Sequence, residues 1–181
     1  MVKVLGIDQS LNHTGYVVLI DGKVLKTGLI EPKIKGTIRL VTIRNELIKL
    51  LEFHRPHLVG MEDYAYSGRG RVFNLGELGG IIKVLCADKR KPLMIINPLQ
   101  IKKYATNNGK ADKELMIKKT KEKTGILFSD DNICDAYNIA NIVTQVFNVQ
   151  AKITKLSDYK NYEKEIIKEY LIKKNGKNIK E

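Results

Sequence analysis

Residues 2–30 hold three strand-forming runs, and the second and third are separated by a single Asp21-Gly22 pair. A two-residue link of this composition is the strongest short-range signal for an antiparallel hairpin, because both residues tolerate positive φ. The first run, residues 2–7, alternates Val2 and Val4 with Lys3 and then turns apolar at Leu5 and Ile7. Residues 15–20 are rich in β-branched side chains, and residues 23–30 complete a meander of three antiparallel strands. A helical bundle is excluded from the start.

The remainder alternates. Leu40, Ile43, Leu47 and Leu50 recur at helical spacing within residues 39–53, and Pro56 ends that region. Residues 58–61 are short and wholly apolar, as a central strand requires. Residues 66–74 show no periodicity and read as a mobile loop. Residues 75–87 read as a helix whose Gly76, Gly79 and Gly80 permit close backbone approach, and residues 93–96 as a second buried strand. Helices are predicted at residues 98–104, 113–124, 133–149 and 160–174. This order predicts an α/β fold: a mixed five-stranded sheet, an antiparallel meander followed by parallel strands, with helices on both faces.

Charge narrows the function. The formal net charge is +12 and the isoelectric point about 9.6, which favours a polyanionic partner, most commonly nucleic acid. The longest apolar runs, residues 17–20 and 93–96, fall far short of the roughly 18 residues a membrane span requires. The N-terminus lacks the pattern of a secretion signal. Cys86 and Cys134 are too few for a disulfide framework or a four-ligand zinc site. A cytoplasmic, reducing location is expected.

Three carboxylates occupy places that a simple core would not choose. Asp8 ends the first strand, Glu62 ends the fourth, and Asp135 lies on a helix stripe continued by Ile139, Ile142 and Val146. A buried, unpaired carboxylate costs several kcal/mol, and no Arg or Lys lies on that stripe. Asp8 could instead cap a turn with Ser10 or Asn12, Glu62 or Asp63 could be a solvated strand end, and Asp130 or Asp131 could cap the long helix. A divalent metal held between Asp8, Glu62 and Asp135 accounts for all three at once. Two Mg2+ ions on such acids activate a water and stabilise the leaving oxygen of a phosphodiester. A basic surface around them would bind the nucleic-acid backbone.

The segments GIDQSLNHTGYVVL, LVGMEDYAY, TNNGKADKELM and DDNICDAYNIA, in that order over about residues 1–147, resemble the RuvC family of Holliday-junction resolvases. The resemblance implies a ribonuclease-H-like fold. It also implies a dimeric endodeoxyribonuclease that nicks four-way junctions symmetrically, using Mg2+ (Mn2+ may substitute), two ions per site. By position, Asp8, Glu62 and Asp135 would be metal ligands. The family places an acid or histidine where Asn132 stands, so Asp131, one residue earlier, is taken as the fourth ligand, with Asn132 or Asp130 in reserve. Gln9 and Ser10 replace the family's proline and glycine.

The resemblance further assigns Lys113 to catalysis and DNA binding, and Lys110 to DNA binding. Tyr64, Tyr66 and Phe73 are candidates for holding the junction open, and Arg69 and Arg71 for gripping phosphates. The changed motifs and the lysine-rich composition are similar to the viral and bacteriophage branch. Residues 1–149 are expected to form the nuclease domain and residues 150–181 a lysine-rich helical extension that covers the core, covers a partner or extends the DNA footprint. Rival readings are a nuclease for flaps, forks or RNA–DNA hybrids and, more remotely, an actin- or sugar-kinase-like ATPase.

Overall fold

The hairpin forms where the sequence places it, with Asp21 and Gly22 at φ values of 47° and 79° between β2 (Thr14–Ile20) and β3 (Lys23–Ile30). The computed structural model describes residues 1–64 and 71–175, without the side chains of residues 71, 72 and 172–175. β1 (Lys3–Asp8) pairs antiparallel with β2 and parallel with β4 (Leu58–Glu62), which pairs parallel with β5 (Leu93–Ile96). The sheet runs β3-β2-β1-β4-β5, the mixed five-stranded arrangement expected.

Pleating decides which face each side chain serves. Leu5 and Ile7 of β1, with Val59 and Met61 of β4, pack against α1 (Thr37–His54) and α2 (Arg71–Asp88) through Ile43, Leu47, Leu78 and Ile82. Val4 and Leu58 point the other way, toward α5 (Asp131–Gln150). Asp8 and Glu62 keep that second phase, so both carboxylates end their strands on the α5 side. The parallel β1–β4 register sets Gly6 beside Gly60, and here α5 comes very close. A Cβ on Gly6 would lie 2.2 Å from the Ala136 carbonyl oxygen, and one on Gly15 would lie 2.2 Å from that of Asn132.

The α5 face is completed by α3 (Pro98–Thr106), α4 (Lys113–Thr124) and α6 (Asn161–Asn175). Ile166, Ile167 and Tyr170 of α6 are buried in the same core as Ile139 and Val143. Of the three roles left open for residues 150–181, the apolar face of α6 therefore covers the core. Among the described residues, no helix is long and apolar enough to cross a membrane.

Two expectations need correction. The segment taken as a loop to residue 74 is helical from Arg71; Phe73 and Asn74 in that first turn are exposed, so no apolar periodicity marks it. Of the three α2 glycines, only Gly79 meets close neighbours, Tyr64 and Gln9, while Gly76 and Gly80 face open space. Tyr66, Arg69 and the side chain of Arg71 lie outside the described residues.

Candidate metal centre and its basic surround

Parallel strands β1 and β4 end at the same sheet edge, which delivers Asp8 and Glu62 side by side. Asp8 is buried, Glu62 half-buried, and their side chains share a hydrogen bond. The turn after β1 is closed by Ser10 and Thr14, whose hydroxyl donates to the Ser10 carbonyl. Asp8 is left to its hydrogen bond with Glu62. Gln9, buried behind it, donates from Nε2 to the Glu62 carbonyl at 3.0 Å and ties the two strand ends together. Its Oε1 is buried without a partner among the described residues.

α5 supplies the other acids. Asp130 is its N-cap, with Oδ1 accepting from the backbone N–H of Asn132 at 2.8 Å and of Ile133 at 3.3 Å. The side chain of Asn132 donates to the same oxygen at 3.0 Å. These two reserve candidates are thus engaged with each other at the helix start. Asp131 opens the helix, so it and Asp135, four residues on, share a face. Asp135 is half-buried on the stripe continued by the fully buried Ile139, Ile142 and Val146.

The acids raise one another's proton affinity. Burial pushes the Asp8 carboxyl well above the usual range, and the charges of Glu62, Asp135 and Asp131 add to it. Burial also raises Glu62, against the pull of the Asp8 hydrogen bond and of Lys102. Of this pair, Asp8 is raised the more strongly. Asp135 is pushed up to about 7, by burial first and then by Glu62 and Asp131.

The compensating cations come from elements that the α5 stripe could not reveal. Lys113, the first residue of α4, pairs with Asp131, and that bond holds its ammonium above the usual pKa. Lys102 of α3 draws Glu62 and Asp135 down. Sequence reading missed Lys102. Its signal was a short helix directly after β5, with an Asn97 cap and Pro98 in its first turn, at the edge where the parallel strands end.

Among the described residues, no three His, Cys, Asp or Glu side chains converge as they stand on one ion-sized point; the acids are turned to each other and to Lys113. Their chemistry nonetheless suits a hard divalent cation. The donors are carboxylate oxygens, which such ions prefer, and the burial and mutual repulsion that raise Asp8 and Asp135 are what a bound cation would relieve.

The remaining candidates are spread out. Tyr64 packs against α2, its hydroxyl donating to the Gly76 carbonyl at 3.5 Å, with the Lys83 ammonium 4.7 Å from its ring centre. Phe73 is 80% exposed on the first turn of α2. Lys110 is exposed in the turn before α4, where its backbone N–H donates to Asn108.

The family model for crossover junction endodeoxyribonuclease RuvC matches residues 4–144. The RuvC protein of Caldicellulosiruptor saccharolyticus is 29% identical over 149 residues, covering 77% of this chain and 90% of that protein. That of Hydrogenovibrio crunogenus is 29% identical over 118 residues, covering 62% and 69%. Among solved structures, Thermus thermophilus RuvC in complex with Holliday junction substrate superposes with a TM-score of 0.70 at 22% identity, over 84% of this chain and 97% of that one. The Fowlpox virus resolvase bound to Holliday junction DNA gives 0.54 at 13% identity, over 80% and 98%. These two share the fold.

Proposed function

This chain belongs to the RuvC family of crossover junction endodeoxyribonucleases, and on that footing we propose that it resolves four-way DNA junctions by metal-dependent hydrolysis of two symmetry-related phosphodiesters. The observation that carries the reading is the set of four acids, Asp8, Glu62, Asp131 and Asp135, gathered from two strand ends and one helix, with Lys113 paired to Asp131 and the charge of Lys102 acting on Glu62 and Asp135.

These four acids would hold divalent cations, Mg2+ with Mn2+ as a substitute, two per site. Such ions supply an activated water and charge stabilisation at the leaving oxygen. The protein's own part is orientation. Gln9 holds the Glu62 backbone at a fixed distance from β1, and the glycines under α5 let the helix that carries Asp135 lie close upon β1 and β2. Lys113, paired with Asp131 yet largely exposed, is placed to leave that partner for a backbone phosphate, and Lys110 precedes it on the same approach. Phe73 offers an exposed aromatic face to unstacked bases, whereas Tyr64 serves α2 packing.

Residues 1–149 would form the nuclease domain and residues 150–181 an extension upon it, working on DNA inside the cell. Two cuts on a two-fold junction call for two copies of the chain. The face between α1 and α2, on the side of the sheet opposite α5, supports this reading. It carries exposed Ile38 and Val84 and a groove of about 1180 Å³ bounded by Arg39, Arg44, Glu77 and Asp88.

The test incubates the protein with a synthetic four-way junction, a matched duplex, a flap and an RNA–DNA hybrid, in Mg2+ and in EDTA, with light scattering to count chains. Paired nicks confined to the junction and dependent on Mg2+ are expected. Absence of metal-dependent cleavage of any branched DNA overturns the proposal. Asp8→Asn is expected to bind the junction at wild-type affinity and to leave it uncut.

A further inference from the structure

The last helix lies beyond the segment that matches the family, residues 4–144, yet its polar side chains converge on one short element of the site. The Tyr170 hydroxyl of α6 accepts from the backbone N–H of Asn97 at 3.1 Å and donates to the side-chain oxygen of Gln100. Gln100 in turn donates to Glu169, and Lys103 pairs with Glu165 at 2.6 Å. Asn97 is the cap that starts α3, its side chain accepting from Leu99 N–H at 2.8 Å.

A second clasp closes the far end of α3. Lys123 of α4 donates to the Tyr104 carbonyl at 2.7 Å and to Glu163 of α6 at 3.0 Å, with its ammonium over the rings of Tyr104 and Tyr162 at 5.1 and 5.2 Å. Between the clasps, Ile166, Ile167 and Tyr170 share a core with Ile101 and Tyr104.

α3 has only 9 residues, and a helix below about 12 residues is marginal without tertiary support. Its alignment therefore depends on what it packs against, and Lys102 depends on its alignment. α3 starts directly after Ile96, the register partner of Glu62 at the sheet edge, and we propose that α6 is a positioning element of the active site: by clamping α3 at both ends it holds Lys102 on the side of Glu62 and Asp135. This inference rests on the nuclease reading, with Tyr170 and Gln100 as the positioning residues.

The sign of the effect separates positioning from damage. A lysine held beside the acids repels a divalent cation while it helps balance the negative charge of DNA. Releasing it tightens metal binding and slows cleavage, whereas a damaged site loses both. The experiment uses the full chain with Tyr170→Phe, which keeps the ring and removes both hydrogen bonds, and Gln100→Ala, which cuts the same link from the α3 side. Each is made alone and with Lys102→Met. Mn2+ binding is titrated without DNA, and cleavage of a four-way junction is followed in single turnover.

Tyr170→Phe and Gln100→Ala are expected to bind Mn2+ about threefold more tightly and to cut about tenfold more slowly, the usual cost of losing an outer-shell partner. In the Lys102→Met background neither is expected to add a further change, because both act through that side chain. Unchanged Mn2+ affinity in both single variants, weaker affinity, or effects that multiply with Lys102→Met overturn the proposal. If the wild-type protein cuts no branched DNA, the nuclease reading fails, and the Mn2+ titration still decides whether α6 acts through Lys102.

Discussion

Asp135 sits at the head of a core-facing helix stripe with its carboxyl pushed up to about 7 by burial and by Glu62 and Asp131. A carboxyl whose folded pKa exceeds its unfolded value is favoured in its protonated form. Its contribution to stability is fully present below about pH 4 and is lost as pH rises through about 7. In chelator at pH 8 the ionised side chain should therefore destabilise the fold. Asp135→Asn should raise the melting temperature there by roughly 4–8 °C, for a gain on the order of 2 kcal/mol. With Mg2+ the wild-type protein should recover most of that gap and the variant should gain little. An equal or lower melting temperature for the variant in EDTA at pH 8 would show that the carboxylate is not strained by its neighbours. The strand-end position of Asp8 and Glu62 and the inward stripe of Asp135 were legible in the sequence, because an acid among apolar neighbours is a local pattern. Their partners were not legible in the residue pattern: Lys113 entered through the family resemblance alone and Lys102 not at all, because both belong to other helices and the spacing along α5 says nothing about what packs beside it.

At the scale of elements, α5 reaches the sheet only because β1, β2 and β4 present Gly6, Gly15 and Gly60 to it. A Cβ on Gly60 would meet the γ-methyl groups of Val143 and Ile139 at 2.7 and 2.8 Å, but one on Gly6 would meet α5 backbone. A methyl group can shift by a few tenths of an ångström more readily than a helix backbone can. Gly6→Ala should therefore cost about 1–3 kcal/mol of stability, as overpacking does, and displace Asp135 from Asp8. Cleavage should drop by about tenfold or more even though all four acids remain, as expected from ångström-scale misplacement. Gly60→Ala should be milder in both respects. Denaturant melts and single-turnover rates of the two variants compare them directly, and a Gly60→Ala defect equal to that of Gly6→Ala would remove the backbone argument. Strand and helix order was read correctly from periodicity and turn residues. The start of α2 was not, because an exposed first turn carries no apolar period.

For the whole molecule, the +12 charge is a net value that conceals the acid cluster, so a surface with metal bound is more positive than the sum states. Residues 151–181 hold nine lysines against five acids, which adds a basic end to a fold whose working edge is acidic. Phosphate neutralisation makes affinity fall with salt at a slope of about 0.9 per contact. Junction affinity of Asp8→Asn, measured without cleavage, should fall by about a thousandfold or more between 50 and 200 mM salt if six or more phosphates are neutralised. A nearly flat salt dependence would mean that the charge is not used on DNA.

The sequence by itself determined the meander, the alternation that follows it, the three acids out of place in apolar surroundings and the basic balance of the chain. Each is a local pattern with a local physical cause: turn chemistry, side-chain period, or the cost of burying charge. The tertiary structure alone decided that Asp130 is taken up as a helix cap while Asp131 faces Lys113, that Asp8 and Glu62 share a hydrogen bond, that the Lys102 charge acts on Glu62 and Asp135, and that α6 covers the core and holds α3 at both ends. Those outcomes depend on which elements become neighbours, and that choice is made by packing between segments far apart in the chain.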